Sequence, residues 1–360
     1  MIRAFFIVYR YKNQIKTNTF QFMRKLNSFR SFCMLTILIL AVFNSFNLFA
    51  DNNKIENTQK PKSFFGNGIN IQPSYYNLGN PECSWDLIGK FPGIKSIRIE
   101  IDPVNTKVDA IQAAQWLYNA HKLGLKIIAT YHDWKALGSD NPEFVMKAAN
   151  WWLKNYDILK KELLRLNNGV DVPFTLNMIN EWGSHDISAE LYAKTYNDAI
   201  AIVRQKYSGY IIIDCPGWGQ GIAQASSAAL GTTTNGIKLN DKKIILSAHI
   251  YPNGYNMAKK RWLQKEDLDD LEKSKLPCII GEFGNYAKGN GQCNWLDVVN
   301  YAKSKGWDVL GWAWNGDNAD ELNQTGPMNM VTPAWIADST ATKRTTSAYF
   351  DLIYEIISVR

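Results

Sequence analysis

The sequence predicts a closed (β/α)8 TIM barrel, a single α/β domain over residues 64–360. Three observations predict it. Short β-type runs alternate with helical patterns, which implies parallel strands joined by helical crossovers. The alternation reaches eight strands, each followed by a helix, over about 300 residues, the scale of a closed barrel. An open doubly wound sheet would carry a glycine-rich turn after its first strand. Here Gly66-Asn67-Gly68 stands before it, so it is no dinucleotide fingerprint.

Taken in order, the first run (68–72) precedes a short helical pattern at 85–90. The second (96–101) reads Ser-Ile-Arg-Ile-Glu-Ile and leads to a helix at 108–123. The third (125–131) leads to a helix at 142–166. The fourth (174–180) follows Pro173, is apolar and β-favouring, and stops at Asn180-Glu181-Trp182 before Gly183-Ser184; a helix at 189–207 comes next. The fifth run (210–214) is followed by a weak helical pattern from Ile222, the sixth (243–250) by one at 256–275, and the seventh (277–281) by one at 295–305. The eighth (309–314) and a final helix at 342–358 are separated by a long loop, 318–341. Loops of that length in a compact domain are usually functional.

The charge is unevenly placed. Seven of the 40 Lys and Arg lie within residues 1–50, which hold no Asp or Glu. The remainder has 33 basic against 33 acidic residues, a neutral body that argues against a nucleic-acid or anionic-membrane surface. Residues 1–50 read as a secretory leader: a basic stretch from Met23, an apolar core from Phe32 to Phe43, and a small residue, Ala50, at the expected cleavage point. The apolar run is short for a membrane span of about 20 residues. Translation starting at Met23, cleavage after Ala50, a flexible lead-in at 51–63 and a secreted monomer with no membrane attachment are the expectations. Of five cysteines, Cys33 leaves with the leader. Cys83, Cys215, Cys278 and Cys293 match no zinc spacing. Cys278 reads as a buried small hydrophobe, while Cys83 and Cys293 lie in loops and are free to pair in an oxidising compartment.

In a barrel of this kind, chemistry belongs at the carboxyl ends of the strands. Strand two carries Arg98 in an apolar run, where an arginine needs a carboxylate; Glu100, two residues on, offers a local partner. Strand three ends at His132, strand four at Asn180-Glu181, and strand five runs into a loop presenting Trp218. Strand six ends His249-Ile250-Tyr251, with His and Tyr on one face. Strand seven ends at Glu282, and strand eight at Trp312-Ala313-Trp314. Each has a bland structural reading. Together they place two carboxylates, Glu181 and Glu282, across the barrel mouth beside tryptophans, which is what glycosidic bond cleavage requires. On this reading Trp182 desolvates Glu181, which keeps its proton. Arg98 pairs with Glu282 rather than Glu100, and Arg98 and Tyr251 lower the Glu282 pKa. No two histidines share helical ligand spacing, so neither a metal nor another cofactor is expected.

These residues resemble glycoside hydrolase family 5, the cellulase and mannanase family of retaining barrel enzymes. The match rests on Arg98, His132, Asn180-Glu181, His249 with Tyr251, Glu282 and the Trp312 region, and spans residues 64–360. The resemblance implies that Glu181 is the acid/base and Glu282 the nucleophile. It also implies that Asn180 binds the sugar 2-hydroxyl and Trp312 supports the sugar at the cleavage point. Several stretches look most like bacterial endo-β-1,4-mannanases: His132-Asp133, Asn180-Glu181-Trp182, Gly217-Trp218-Gly219-Gln220, Ile280-Gly281-Glu282-Phe283-Gly284 and Gly311-Trp312-Ala313-Trp314. Trp182 stands where many members have proline, Ala313 where such enzymes usually have serine, and the segment after Glu282 lacks their histidines. A β-mannan substrate is expected, with β-glucan as the alternative and a non-catalytic glycan-binding barrel as a third reading. Trp218 is expected to line the outer cleft. Trp314 is left between sugar contact and core.

Overall fold

The computed structural model describes residues 63–75, 83–287, 289, 291–315, 328–334, 338, 340–341 and 343–359. The leader at 1–50, the lead-in up to residue 62 and most of the 318–341 loop lie outside the described residues. Among the described residues no helix is long and apolar enough to cross a membrane.

Eight parallel strands close into a barrel: β1 (Gly68–Ile71), β2 (Ser96–Ile101), β3 (Lys126–Tyr131), β4 (Thr175–Asn177), β5 (Ile211–Asp214), β6 (Ile244–Ile250), β7 (Cys278–Phe283) and β8 (Asp308–Gly311). Each pairs with its sequence neighbours, and β1 closes the ring on β8. Outside lie α1 (Trp85–Ile88), α2 (Ala110–Lys122), α3 (Pro142–Leu166), α4 (Ala189–Val203), α5 (Ile222–Leu230), α6 (Leu268–Glu272), α7 (Trp295–Ser304) and α8 (Ala348–Ser358). Side-chain caps mark several helix starts: Asp109 accepts from Gln112 N at 2.8 Å, and Ser188 from Leu191 N at 3.1 Å.

The period of two along each strand sorts the side chains into two environments. Ile97, Ile99 and Ile101 on β2, with Ile211 and Ile213 on β5, face the helices and join the large outer core. The inward row is split by height. Ile128, Ile212, Ile245, Ile279 and Leu310 pack with Phe65 into a small apolar cluster inside the barrel. Above it the inward positions turn polar: Asn70, Arg98, Glu100, Asn177, Asp214 and His249 are all fully buried. Phe65 precedes β1 and is held by Asp308 at the start of β8, whose Oδ2 accepts its backbone N–H at 2.8 Å. The apolar cluster therefore seals the amino end of the barrel, and the polar layer faces the carboxyl end.

Three elements differ from the sequence prediction. The helix expected at 256–275 is a two-stranded hairpin, Tyr255–Asn256 against Arg261–Trp262, followed by a 3-10 turn and the short α6. Buried Asp267 causes this. It accepts from Arg261 Nη1 and Nη2, both at 2.8 Å, from Lys259 Nζ at 2.6 Å and from Gln264 N at 2.9 Å, so two basic side chains and a backbone N–H commit to a loop instead of a helix face. The last helix begins only at Ala348, because Thr345–Thr346 pairs with Val331–Thr332. Strand four keeps a ladder of three residues; the chain then turns sharply, with Glu181 at φ 48°. Cys83, Cys215, Cys278 and Cys293 are all buried, and Cys293 is a free thiol, so the Cys83–Cys293 pairing left open by the sequence is not made.

Candidate active site

Arg98 organises the polar layer. Its side chain is wholly buried, and its guanidinium reaches five strands. Nη1 lies 2.8 Å from Glu282 Oε1 on β7, 3.0 Å from Asn70 Oδ1 on β1 and 3.3 Å from Glu100 Oε1 on its own strand. Nη2 meets Asn180 Oδ1 at 2.5 Å and Asp214 Oδ2 at 3.2 Å, and Nε donates to Asn177 Oδ1 at 2.9 Å. Glu282 is thus the closest of three carboxylates, as expected from the sequence. A planar fork of fixed donors suits so many partners, which a lysine could not match. The surrounding carboxylates outweigh burial and push the Arg98 pKa further up.

Glu282 points inward because β7 bulges. The register against β6 shifts between Ala248 and His249, so that His249 stands opposite Glu282. Gly281 before it also faces the interior, where a Cβ would lie 2.2 Å from Ser247 Oγ, so no side chain fits there. Tyr251 donates to Glu282 Oε2 at 2.8 Å. Burial and the Glu181 charge push the Glu282 pKa up, while His249, Arg98 and the Tyr251 hydroxyl pull it down. The net direction is upward. This corrects the expectation that Arg98 and Tyr251 would lower it: they act in that sense, and burial outweighs them.

Glu181 reaches the same space from the turn after β4. Its backbone N–H donates to Asp214 Oδ2 at 3.2 Å and its carbonyl accepts from Gly138 N at 2.9 Å. These bonds hold a left-handed conformation that costs a non-glycine residue about 1 kcal/mol. His249 Nδ1 lies 2.6 Å from Glu181 Oε1 and 3.4 Å from Glu282 Oε2, and its Nε2 lies 3.6 Å from Asp214 Oδ1. Burial alone would depress the imidazole pKa; the charges of Glu282 and Asp214 and the hydrogen bond to Glu181 instead raise it to about 10, although Nε2 stands too far from Asp214 for a hydrogen bond. His249 is therefore an imidazolium between two glutamates. Asp214 is its counter-ion: burial raises its pKa, but His249 and Arg98 bring it down to about 2. One donor atom each from Glu181, His249 and Glu282 lie within 4.8 Å of one another. A doubly protonated imidazole has no lone pair to give, so this trio is a poor cation site as it stands.

Trp182 does not desolvate the Glu181 carboxyl. Its indole turns to the outer core, stacks on Tyr192 at 6.2 Å and donates to Asn141 O at 2.9 Å. Trp314 is likewise fully buried, packs edge-on against Phe350 and donates to Cys83 O at 2.8 Å, which resolves it as a core residue. Trp312 is half-buried, and its carbonyl accepts from the Tyr349 hydroxyl. His132 is bonded through Nδ1 to the Tyr75 hydroxyl; burial and then Arg98 lower its pKa to about 3, so it is neutral. Trp218 is 41% exposed on the loop after β5. Its ring lies so close over Gly138 (φ 63°) that a Cβ there would sit 2.2 Å away. The His185 ring is 5.1 Å from it, and His185 also lines a groove of about 730 Å³ with Gln224, Ser227, Thr233 and Met257.

Arg98, Asn180, Glu181, His249, Tyr251 and Glu282 thus converge, His132 borders them, and Trp218 lies on the rim. Sequence reasoning missed Asn70, Tyr75, Asn177 and Asp214. Asp214 ends an apolar strand just as Glu181 does, and that signal marked it. Asn70 and Asn177 sit on inward positions of apolar strands, visible as polar interruptions of a buried run.

A parallel eight-stranded barrel with two buried glutamates and an arginine converging at its carboxyl end defines the class, a TIM-barrel enzyme of the glycosidase type. The family model described as "Cellulase (glycosyl hydrolase family 5)" matches residues 101–318, and the chain belongs to glycoside hydrolase family 5. Among solved structures it is similar to the catalytic domain of a mannanase from Streptomyces sp. SirexAA-E (TM-score 0.60, 20% identity, covering 82% of this chain and 85% of that one). It is similar also to a β-mannanase from Thermomonospora fusca (0.59, 19%, 82% and 90%). A Thermobifida fusca endoglucanase catalytic domain in complex with cellotetraose aligns as well (0.59, 14%, 81% and 91%). No curated protein matches.

Proposed function

We propose that the protein is a secreted, monomeric, retaining endo-glycosidase that hydrolyses β-1,4-linked mannan or glucomannan by double displacement. The observation that carries this reading is the carboxylate pair: one oxygen of Glu181 lies within 4.8 Å of one of Glu282. Retaining enzymes hold their carboxyls about 5–5.5 Å apart, whereas inverting ones leave about 6.5–9.5 Å for a water.

Glu282, faced by Arg98, Tyr251 and His249, works ionised and attacks the anomeric carbon. Glu181 gives its proton to the leaving glycosidic oxygen. The negative charge of Glu282 is consumed in the ester as Glu181 acquires one. His249, within 3.4 Å of both carboxylates, is close to the charge in either state. Glu181 then takes a proton from water as that water attacks the ester. Asn180 Oδ1 accepts from Arg98 Nη2, leaving the amide nitrogen to donate to the sugar 2-hydroxyl. Trp312 supports the sugar at the cleavage point. Trp218, with the groove beyond His185, supplies the outer cleft a polymer needs.

Support for mannan comes from the mannanase neighbours, among them structures with mannotriose and mannohexaose. An endo-β-1,4-glucanase is the second reading, favoured by the neighbour bound to cellotetraose. Release of reducing ends from mannan, glucomannan, carboxymethylcellulose and xylan separates the two. Glu282→Ala should abolish turnover, and azide should rescue Glu181→Ala on an activated glycoside. Products of inverted configuration would defeat double displacement, and failure to cleave any of these polymers would favour a glycan-binding barrel.

A further inference from the structure

Glu100 has no part in the mechanism above, yet it stands inside the site. It lies on β2 two residues after Arg98, inward-facing and wholly buried. Its Oε1 is 3.3 Å from Arg98 Nη1, a looser contact than the 2.8 Å that the same nitrogen makes to Glu282. Its Oε2 has no hydrogen-bond partner. The group facing it is His132, whose Nδ1 is 3.6 Å away and already bonded to Tyr75. The Tyr75 hydroxyl in turn donates to Asp102 Oδ2 at 2.8 Å. A carboxylate with one oxygen bare in a dry interior is expensive, and a neutral carboxylic acid is far less so.

The charge count leads to the same place. The buried layer holds two cations, Arg98 and the His249 imidazolium. In the starting state of the proposed mechanism, with Glu181 as the acid, the negative charges of Asp214 and Glu282 balance them. An ionised Glu100 would add an unbalanced negative charge. Formation of the glycosyl-enzyme moves one negative charge from Glu282 to Glu181 and leaves the total unchanged. Among Arg98, His249, Asp214, Glu282 and Glu181 the charges therefore balance in both states without one on Glu100, while Asp102 and Asp133 add two more buried carboxyls just past the ends of β2 and β3.

We propose that Glu100 is a third carboxyl of the site, protonated throughout the cycle, whose neutrality reserves the Arg98 guanidinium for Glu282 and Asp214. It is a positioning residue and touches no substrate. The charge count rests on the retaining reading; the bare oxygen and the burial do not. Burial pushes the Glu100 pKa well up against the opposing charge of Arg98, and the Glu282 charge adds to the rise.

The first test is independent of activity. An infrared difference spectrum, wild type minus Glu100→Gln at about pH 8, far above the usual carboxylate range, should show the carbonyl stretch of a protonated acid. Carboxylate bands in its place would overturn the proposal even if the enzyme hydrolyses mannan. A protonated-acid band in a protein that cleaves no glycan would leave Glu100 as assigned and sink only the glycosidase reading. The second test is kinetic. Glu100→Gln, a neutral isostere, should keep kcat/KM within about twofold and leave the acidic limb of its pH profile in place, whereas Glu100→Ala should lower kcat about tenfold with little change in KM. An acidic limb displaced to lower pH in Glu100→Gln would show that a negative charge had been removed beside Glu282. Full kcat in Glu100→Ala would remove the positioning role.

Discussion

Replacing Asp214 by Asn removes one negative charge and almost no volume. That charge lies 3.6 Å from His249 Nε2 and 3.2 Å from Arg98 Nη2, and its oxygen accepts the backbone N–H of Glu181. At 3.6 Å and an effective dielectric of about 20, the Coulomb attraction to an imidazolium is roughly 4–5 kcal/mol, an upper bound. The His249 pKa rises from 6.5 to about 10, with Glu282 the largest favourable contributor and Asp214 the next. Asp214→Asn should therefore lower it by about one to two pH units, worth about 1.4–2.7 kcal/mol. A histidine raised in the folded state stabilises fully below its unfolded pKa and loses that contribution as pH rises through its folded value. For His249 the window runs from 6.5 to about 10. Asp214, lowered from 3.8 to about 2, stabilises above the former and loses that contribution as pH falls through the latter. The stability gap between wild type and variant should thus be widest from about pH 4 to 8, on the order of 3–5 kcal/mol for a broken buried pair, and narrow at both ends. Urea midpoints across pH would measure the gap, and ring-15N NMR titration of His249 would measure its pKa. A gap constant with pH, or an imidazole titrating at its ordinary value in the wild type, would refute the assignment of Asp214 as the counter-ion.

Three further outcomes follow from the same geometry. Arg98→Lys keeps a charge but loses the fork that meets five strands; kcat/KM should fall at least about tenfold, with a smaller displacement of the acidic limb than in Arg98→Ala, and an unaltered rate would make Arg98 structural. Trp218→Ala should raise KM for polymer several-fold while short activated glycosides are cleaved nearly as before; equal losses on both would place the ring in the fold alone. Trp314→Ala should cost about 3–5 kcal/mol of stability in thermal or urea unfolding, with kcat of the folded fraction retained, and a selective loss of kcat would return Trp314 to the substrate.

The order of strands and the residue ending each one are one-dimensional properties, and they suffice for the barrel and most of its site. Arg98, Asn180, Glu181, His249, Tyr251 and Glu282 could all be read as polar residues inside or closing apolar runs, because a buried polar side chain is expensive without partners. That cost demands a carboxylate for Arg98, and the strand-end placement of Glu282 points to it as the partner. Other features depended on direction and distance, which the chain order does not encode. Trp182 adjoins Glu181 in sequence, but after a left-handed turn its indole enters the outer core while the carboxylate faces inward. Trp314 reads like Trp312 and is buried against Phe350. The 256–275 segment is helical by pattern, yet Asp267 gathers Lys259, Arg261 and Gln264 into a hairpin loop. The upward pKa of Glu282, the imidazolium state of His249 and the bare oxygen of Glu100 arise from five or more groups on different strands meeting in a dry interior. There Coulomb terms of several kcal/mol compete with desolvation of like size, and only the three-dimensional distances say which prevails.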